Sequence, residues 1–407
     1  MGHRLSPVSP FHPSLPEPND EIVSRRAFAV STLRSLPELP ESAAERVTDV
    51  AINHADDLLA WLADKDCPGH ASPIADPIRL HLQHRKHVLA IAGTIADDSG
   101  DENSTSTSDA NSDAADHSAN HLHGDGTVDF HGLQAWALDA NVIWITQDHC
   151  VFDPAGRLLL DAKANGPDPD AVIPFPIDAR QRKANTEVQL RNRLVDPVEA
   201  LLPLRGVEEI RLRDASDVAR RAIALFLVAT RAESILTGKP IDIERMKARC
   251  PIGYASLTPR ERAFFDTEPS PATQASLAQA ATELAWRYEA LMALQWALDM
   301  QFELAWPDEH ADLTAVTRLM IDLPDEAIIE QARLRTAGEL LDAAELHYQC
   351  FHAIVQSQQT QNDLSGILDP GVVCERLIAI SWICGLSGES EWDETSDWLE
   401  RGCQPPA

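Results

Sequence analysis

Hydrophobic and polar positions follow two regimes along this chain. In the first third, short apolar runs alternate with polar residues or stand as brief continuous blocks. "RAFAVSTLRSL" predicts a strand with Phe28 and Val30 as apolar positions. "SAAERVTDVAINHADDLLAWLAD" predicts a helix over most of its length, and "IRLHLQHRKHVLAIAG" a strand buried inside a sheet. Farther on, "FHGLQAWALDANVIWITQDHCVFDPAGRLLLDA" predicts a helix over Phe130–Leu138 and a strand over Val142–Thr146. A turn at "DPAG" and a strand over Arg157–Leu160 follow. "NGPDPDAVIPFPIDARQRK" is too rich in proline for regular structure. From about residue 180 the period becomes helical and stays so. The fold class expected is α+β: a small N-terminal α+β sandwich domain over 24–179, then a mainly α-helical domain over 180–399. Tails occupy 1–23 and 400–407.

Composition modifies this picture at residues 97–126, "DDSGDENSTSTSDANSDAADHSANHLHGDG". This stretch has eight acids, no Lys or Arg and almost no large apolar side chain. It cannot bury enough surface to offset the entropy of ordering, so a disordered acidic insertion is expected. Its His117, His121 and His123 lack the preorganisation a metal site needs.

The whole chain carries 64 acidic against 34 basic residues, a net charge of −30. A surface that negative repels phosphate backbones and anionic lipid, which excludes generic binding to nucleic acid or membrane. Seven cysteines, an odd number with no CxxC pair, and no apolar secretory segment at the N-terminus imply a reducing cytoplasm. The one basic counter-current is 180–221, with ten Lys/Arg among seven acids. Pairing with acidic neighbours or docking of an anionic partner would each account for it.

Some charges fall on apolar helix faces. In "AWRYEALMALQWALD" (285–299), a helical period puts Arg287 between Leu294 and Leu298, and Glu289 between Trp296 and Met300. Gln295, Tyr288 and Asp299 form the polar arc. Arg287 and Glu289 do not face each other, so each needs a partner from another helix. "DASDVARRAIALFLVATRAESIL" adds Arg221 and Glu233, with Asp214 as the expected N-cap and Asp217 completing a capping-box variant. "LDPGVVCERLIAISWICG" adds Glu375 and Arg376, with Asp369 as N-cap and Pro370 at the first helical position. Three Arg and three Glu on faces that ought to be dry predict a buried interhelical Arg–Glu network. It either fixes helix register or surrounds a charged small molecule.

No nucleophile elbow, P-loop, HExxH or GxGxxG motif occurs, and His347 and His352 are spaced to lie on different faces of their helix. No cofactor and no metal are expected. The function expected is a non-catalytic binding or interaction module for a protein or an anionic small molecule. The alternative is a hydrolase-like enzyme using the Glu/Arg cluster.

Five segments carry a family resemblance: "VEEIRLRDASDVARRAIALFLVATRAE", "LTPRERAFF", "AWRYEALMALQWAL", "ARLRTAGELLDAAELHY" and "LDPGVVCERLIAISWI". Together with "EWD" at 391–393, they resemble the bacterial domain of unknown function 4272, over roughly Arg191 to Asp393. The resemblance implies a helical fold and no particular reaction. Where members tend to read "WALG" this chain has Asp299. Where they tend to read "ERHYALNWL", Leu377 and Ser381 stand in place of His and Asn. The Arg and Glu positions and Trp382 persist.

Overall fold

The computed structural model describes residues 26–41, 47–49, 53–63, 74–92, 132–146, 149–161, 167–239, 241–361, 363–388 and 391–400. The expected N-terminal tail, residues 401–407 of the expected C-terminal tail, the acidic insertion and its three histidines lie outside the described residues.

The N-terminal region is one antiparallel sheet with helices on both faces. Its strands are β1 (Arg26–Ser31), β2 (Val47–Asp49), β3 (His87–Ala92), β4 (Val142–Thr146), β5 (Val151–Phe152) and β6 (Leu158–Leu160), in the order β2-β3-β1-β4-β5-β6. Helices α1 (Asn53–Ala63) and α2 (Ala75–Gln83) cover one face, where Phe28, Val30, Ile143 and Ile145 meet Leu58, Leu62, Ile78 and Leu82. Helix α3 (Gln134–Asp139) covers the other, where Ala27, Ala29 and Trp144 meet Trp136 and Ala137. Burial on both faces is why β1 and β4 read as continuous apolar runs rather than strict alternations.

Two expected elements are corrected. Within the helix expected over 42–64, Val47–Asp49 is an edge strand paired with β3, and the helix begins at Asn53. Within the strand expected over 78–93, the first half is helix α2. The alternation of Ile78, Leu80 and Leu82 imitates a strand, but the side chains that bury are Ala75, Ile78, His81 and Leu82, at helical spacing. The short strand β5 was not expected.

The rest is helical: α4 (Ile177–Asn192), a 3-10 turn (Val207–Glu209), α5 (Ala215–Leu236), α6 (Ile243–Arg249), α7 (Pro251–Ala255), α8 (Pro259–Asp266), α9 (Gln274–Leu284), α10 (Arg287–Ala297), α11 (Leu313–Asp322), α12 (Asp325–Gln331), α13 (Ala337–Thr360), α14 (Pro370–Cys384) and α15 (Trp392–Glu400). Helix α5 packs against α7, α9, α10 and α12. Helix α14 packs against α10, α13 and α15. Asp369 caps α14 as expected, accepting from the Gly371 and Val372 amides at 2.8 and 3.1 Å. Asp214 stands at the N-cap of α5 but makes no side-chain capping bond, and Asp217 pairs with Arg220. The sheet region and the helical region meet at the 3-10 turn. There the Arg34 amide donates to the Glu208 carbonyl at 3.0 Å, and its guanidinium donates to the Ile210 carbonyl at 3.1 Å.

Candidate functional site

The predicted Arg–Glu residues resolve into separate pairs. Arg376, with no side-chain exposure, donates from Nε and Nη2 to Glu289 Oε2 at 3.1 and 2.9 Å. Its remaining donors reach the carbonyls of Ala305 and Glu309 at 2.7 and 2.8 Å. Glu289 Oε1 accepts from the Ala311 amide at 2.6 Å. This pair therefore ties α10 and α14 to the connecting segment 305–311, and both members are saturated. Arg287 Nη1 meets both oxygens of Glu375, at 2.8 and 2.9 Å. Burial pushes the Glu375 carboxyl above its usual range against the pull of Arg287.

Arg221 and Glu233 depart from expectation. Arg221 pairs with Glu261 at 2.5 Å, both sealed, and stacks over Trp392. Glu261 is also the closing residue of the Thr258 capping box of α8. Its surroundings in the sequence, "TPRERA", are polar, so no apolar arc marks it; its only signal there is the T-x-x-E spacing around Pro259. Glu233 is exposed and accepts from the Tyr288 hydroxyl at 2.7 Å. It lies in the last turn of α5, where Leu236 is also 48 % exposed, so the apolar arc there no longer means a dry face. The polar arc of α10 is corrected in the opposite sense. Gln295 and Tyr288 are buried, with Gln295 donating to the Val316 carbonyl at 2.8 Å, so α10 is enclosed on nearly every side.

Two recesses lie elsewhere, at the junction of the sheet and helical regions. One, of about 520 Å³, is walled by Thr32, His81 and Asn141 from the sheet side and by Arg205, Glu209 and Tyr348 from the helical side. A second, of about 460 Å³, shares His84, Arg205 and Glu209 with it and adds Lys86, Arg211 and Arg213.

Local structure explains how these groups converge. Asn141 sits at φ 50° just beyond the end of α3, a left-handed position that Asn tolerates. From there its Nδ2 donates to Thr32 Oγ1 at 2.6 Å and reaches Glu209 Oε1 at 3.4 Å. Glu209 also accepts from the Gly206 amide at 2.6 Å. Gly206 is required for close approach: a Cβ there would lie 2.6 Å from Pro176 Cβ. Buried Arg182 supports the loop, donating to the Arg205 carbonyl at 3.2 Å while holding Asp178 and Asp342.

The electrostatics of the junction are set by burial. Burial raises the Glu209 carboxyl and lowers the Arg205 guanidinium, with each charge opposing the other's shift. His84 is driven down to about 2 by burial, then by Arg205, His81 and Lys86, so it is neutral in a positive field. Half of the ten basic residues of 180–221 are paired internally: Arg182, Lys183, Arg191, Arg220 and Arg221 each hold a carboxylate. Arg205, Arg211 and Arg213 are the members that line the recesses. Arg213 donates to the Trp382 carbonyl at 2.9 Å and stacks on that ring at 4.3 Å. Lys86 and Arg211 have no ion pair among the described residues.

His347 and His352 lie in different surroundings. His347 is buried and bonded to the Ala343 carbonyl at 2.8 Å, while His352 lines the larger recess. Among the described residues no cluster of three or more His, Cys, Asp or Glu could hold a metal ion, and no helix is long and apolar enough to cross a membrane. No curated protein and no solved structure matches the chain. The model of one family, Domain of unknown function (DUF4272), matches residues 182–395. That span is more than half of the chain and contains both the three Arg–Glu pairs and the cationic loop 205–213. The chain belongs to the DUF4272 family.

Proposed function

We propose that the chain is a non-catalytic binding module for a small anionic molecule, seated in the recess between the sheet and helical regions. The supporting observation is the convergence of Lys86, Arg205, Arg211 and Arg213 on one concave surface of a protein with net charge −30, where they outnumber the carboxylates of Glu209, Asp214 and Asp217. Cations there that lack an internal partner are poised for an external one, and surrounding low-dielectric walls strengthen the attraction. The Arg–Glu pairs are the frame of this module. Glu289 and Arg376 have every strong hydrogen-bonding group engaged and no open approach, which disfavours acid–base chemistry at that point. The scattered cysteines support a reducing, cytoplasmic setting.

The test is a thermal-shift series with phosphate, sulfate and di- and tricarboxylates on the intact chain and on Arg211→Glu. A ligand that binds only the folded state raises Tm with concentration. Concentration-dependent stabilisation that is lost in Arg211→Glu is the expected result. Equal stabilisation of both proteins, or none by any anion, refutes the assignment.

A further inference from the structure

The two halves of the junction recess differ in chemistry, and the difference specifies what kind of anion fits. The larger half is walled by Phe175, Tyr348, His352 and Trp398 together with Leu202 and Leu204. Tyr348 and His352 are locked edge to face, with ring centroids 4.6 Å apart. Aromatic and leucine walls of this kind receive a flat apolar body. The smaller half has no Phe, Tyr or Trp in its lining and carries Lys86, Arg205, Arg211 and Arg213, which outnumber the carboxylates of Glu209, Asp214 and Asp217 there.

Two residues on the walls of the larger half hold buried polar atoms with no partner among the described residues: Oδ1 of Asn141 and Nε2 of His352. Asn141 is 3 % exposed, and its amide nitrogen is already engaged by Thr32 and Glu209. An orphaned buried acceptor is costly and rare, and it is satisfied when a ligand brings an N–H or O–H. A purely aliphatic anion leaves the aromatic wall unread. An inorganic anion also leaves Asn141 unsatisfied.

Resting on the anion-binding assignment above, we propose that the ligand is a planar heteroaromatic phosphate of the nucleoside monophosphate class. Its ring system occupies the aromatic half with a donor toward Asn141 Oδ1. Its phosphate occupies the cationic half, against Arg211, Arg213 and Lys86. About 520 Å³ falls within the range of small-molecule sites, and the two halves join at His84 and Arg205, where a ribose would bridge them. Arginine suits the phosphate because its planar fork matches two oxygens at once.

The test is isothermal titration of the full chain with AMP, GMP, the matching nucleosides and inorganic phosphate. A nucleotide is expected to bind at least ~10-fold more tightly than its nucleoside and than phosphate, a difference readily resolved by titration. The double variant Lys86→Ala/Arg211→Ala removes two exposed side chains and is expected to melt as the parent does. In it, nucleotide affinity should fall to the nucleoside level. Asn141→Gly keeps the left-handed backbone while deleting the amide. It should weaken nucleotide and nucleoside alike and leave phosphate unchanged, and Tyr348→Leu should do the same should Asn141→Gly fold poorly. Phosphate binding as tightly as the nucleotides overturns this inference but leaves the anion site standing. Nucleotide binding that ignores both sets of variants places the ligand elsewhere and also overturns it. Absence of binding by every anion overturns both proposals.

Discussion

Glu289→Gln isolates the contribution of one buried charge. In the parent, Glu289 balances Arg376, whose side chain has no exposure at all, and also accepts the Ala311 amide. The substitution preserves shape but leaves the guanidinium uncompensated. Its Nη1 and part of Nη2 remain bonded to the carbonyls of Ala305 and Glu309, so the loss is of charge pairing rather than of every hydrogen bond. Breaking a buried pair by removing one partner costs about 3–5 kcal/mol. For a unit of this size each kcal/mol shifts Tm by roughly 2–4 °C, so a fall of roughly 6–20 °C is expected.

Replacing both partners, as Glu289→Leu/Arg376→Met, removes the isolated charge. It still orphans the Ala311 amide and two carbonyls, at about 1–3 kcal/mol for each one that stays dry. The double variant should therefore remain destabilised, but by less than the sum of the single variants, with a coupling energy of about 1–3 kcal/mol. Urea unfolding of the four proteins measures both quantities. A Glu289→Gln protein within about 1 kcal/mol of the parent, or strict additivity in the cycle, would refute the account of this pair as a structural clamp.

Three further outcomes are expected. Glu233→Gln should cost under about 1 kcal/mol by the same urea assay, because the side chain is exposed and its amide oxygen can still accept from Tyr288; a loss matching that of Glu289→Gln would contradict the placement. Gly371→Ala puts a Cβ 2.5 Å from the Trp286 ring in the first turn of α14, and should cost about 1–3 kcal/mol in a thermal melt unless that ring moves freely. His347 is held at about 4 by burial, against an unperturbed 6.5, so it is neutral when folded and takes up a proton on unfolding. A depressed histidine stabilises fully above the unfolded value and loses that contribution as pH falls from 6.5 toward 4. Between pH 7 and 5 the parent should lose on the order of 2 kcal/mol more than His347→Gln, since the comparison cancels the other titrating groups. Parallel pH profiles would show that His347 does not titrate in this way.

How far the sequence alone reached depends on the range of the interaction involved. Strands β1 and β4 and helices α5, α10, α13 and α14 were legible because their apolar periodicity is local and long enough to average out exceptions. The capping residue Asp369 was legible for the same reason: its bonds reach only two and three residues along the chain. The pattern of residues 75–83 misled because Ile78, Leu80 and Leu82 satisfy two periods at once, and only the neighbouring sheet decides which side chains bury.

The charged helices mark the same boundary within the candidate site. Periodicity shows that Arg287, Glu289, Glu375 and Arg376 stand on apolar arcs, and a charge on a dry face must find a partner. It does not say which partner, because Arg376 and Glu289 lie 87 residues apart and Arg221 and Glu261 lie 40 apart. Nor does it say where an arc ceases to be covered, which is why Glu233 emerges into solvent. The junction recess is the most distant case. His84, Asn141, Arg205 and His352 come from four separate segments, and each looks ordinary where it stands in the chain. The sequence by itself determined the local periods, the caps and the need for charge pairing. Only the tertiary structure decided the partners, the exposed ends and the cavity, because these depend on contacts between segments that no local pattern encodes.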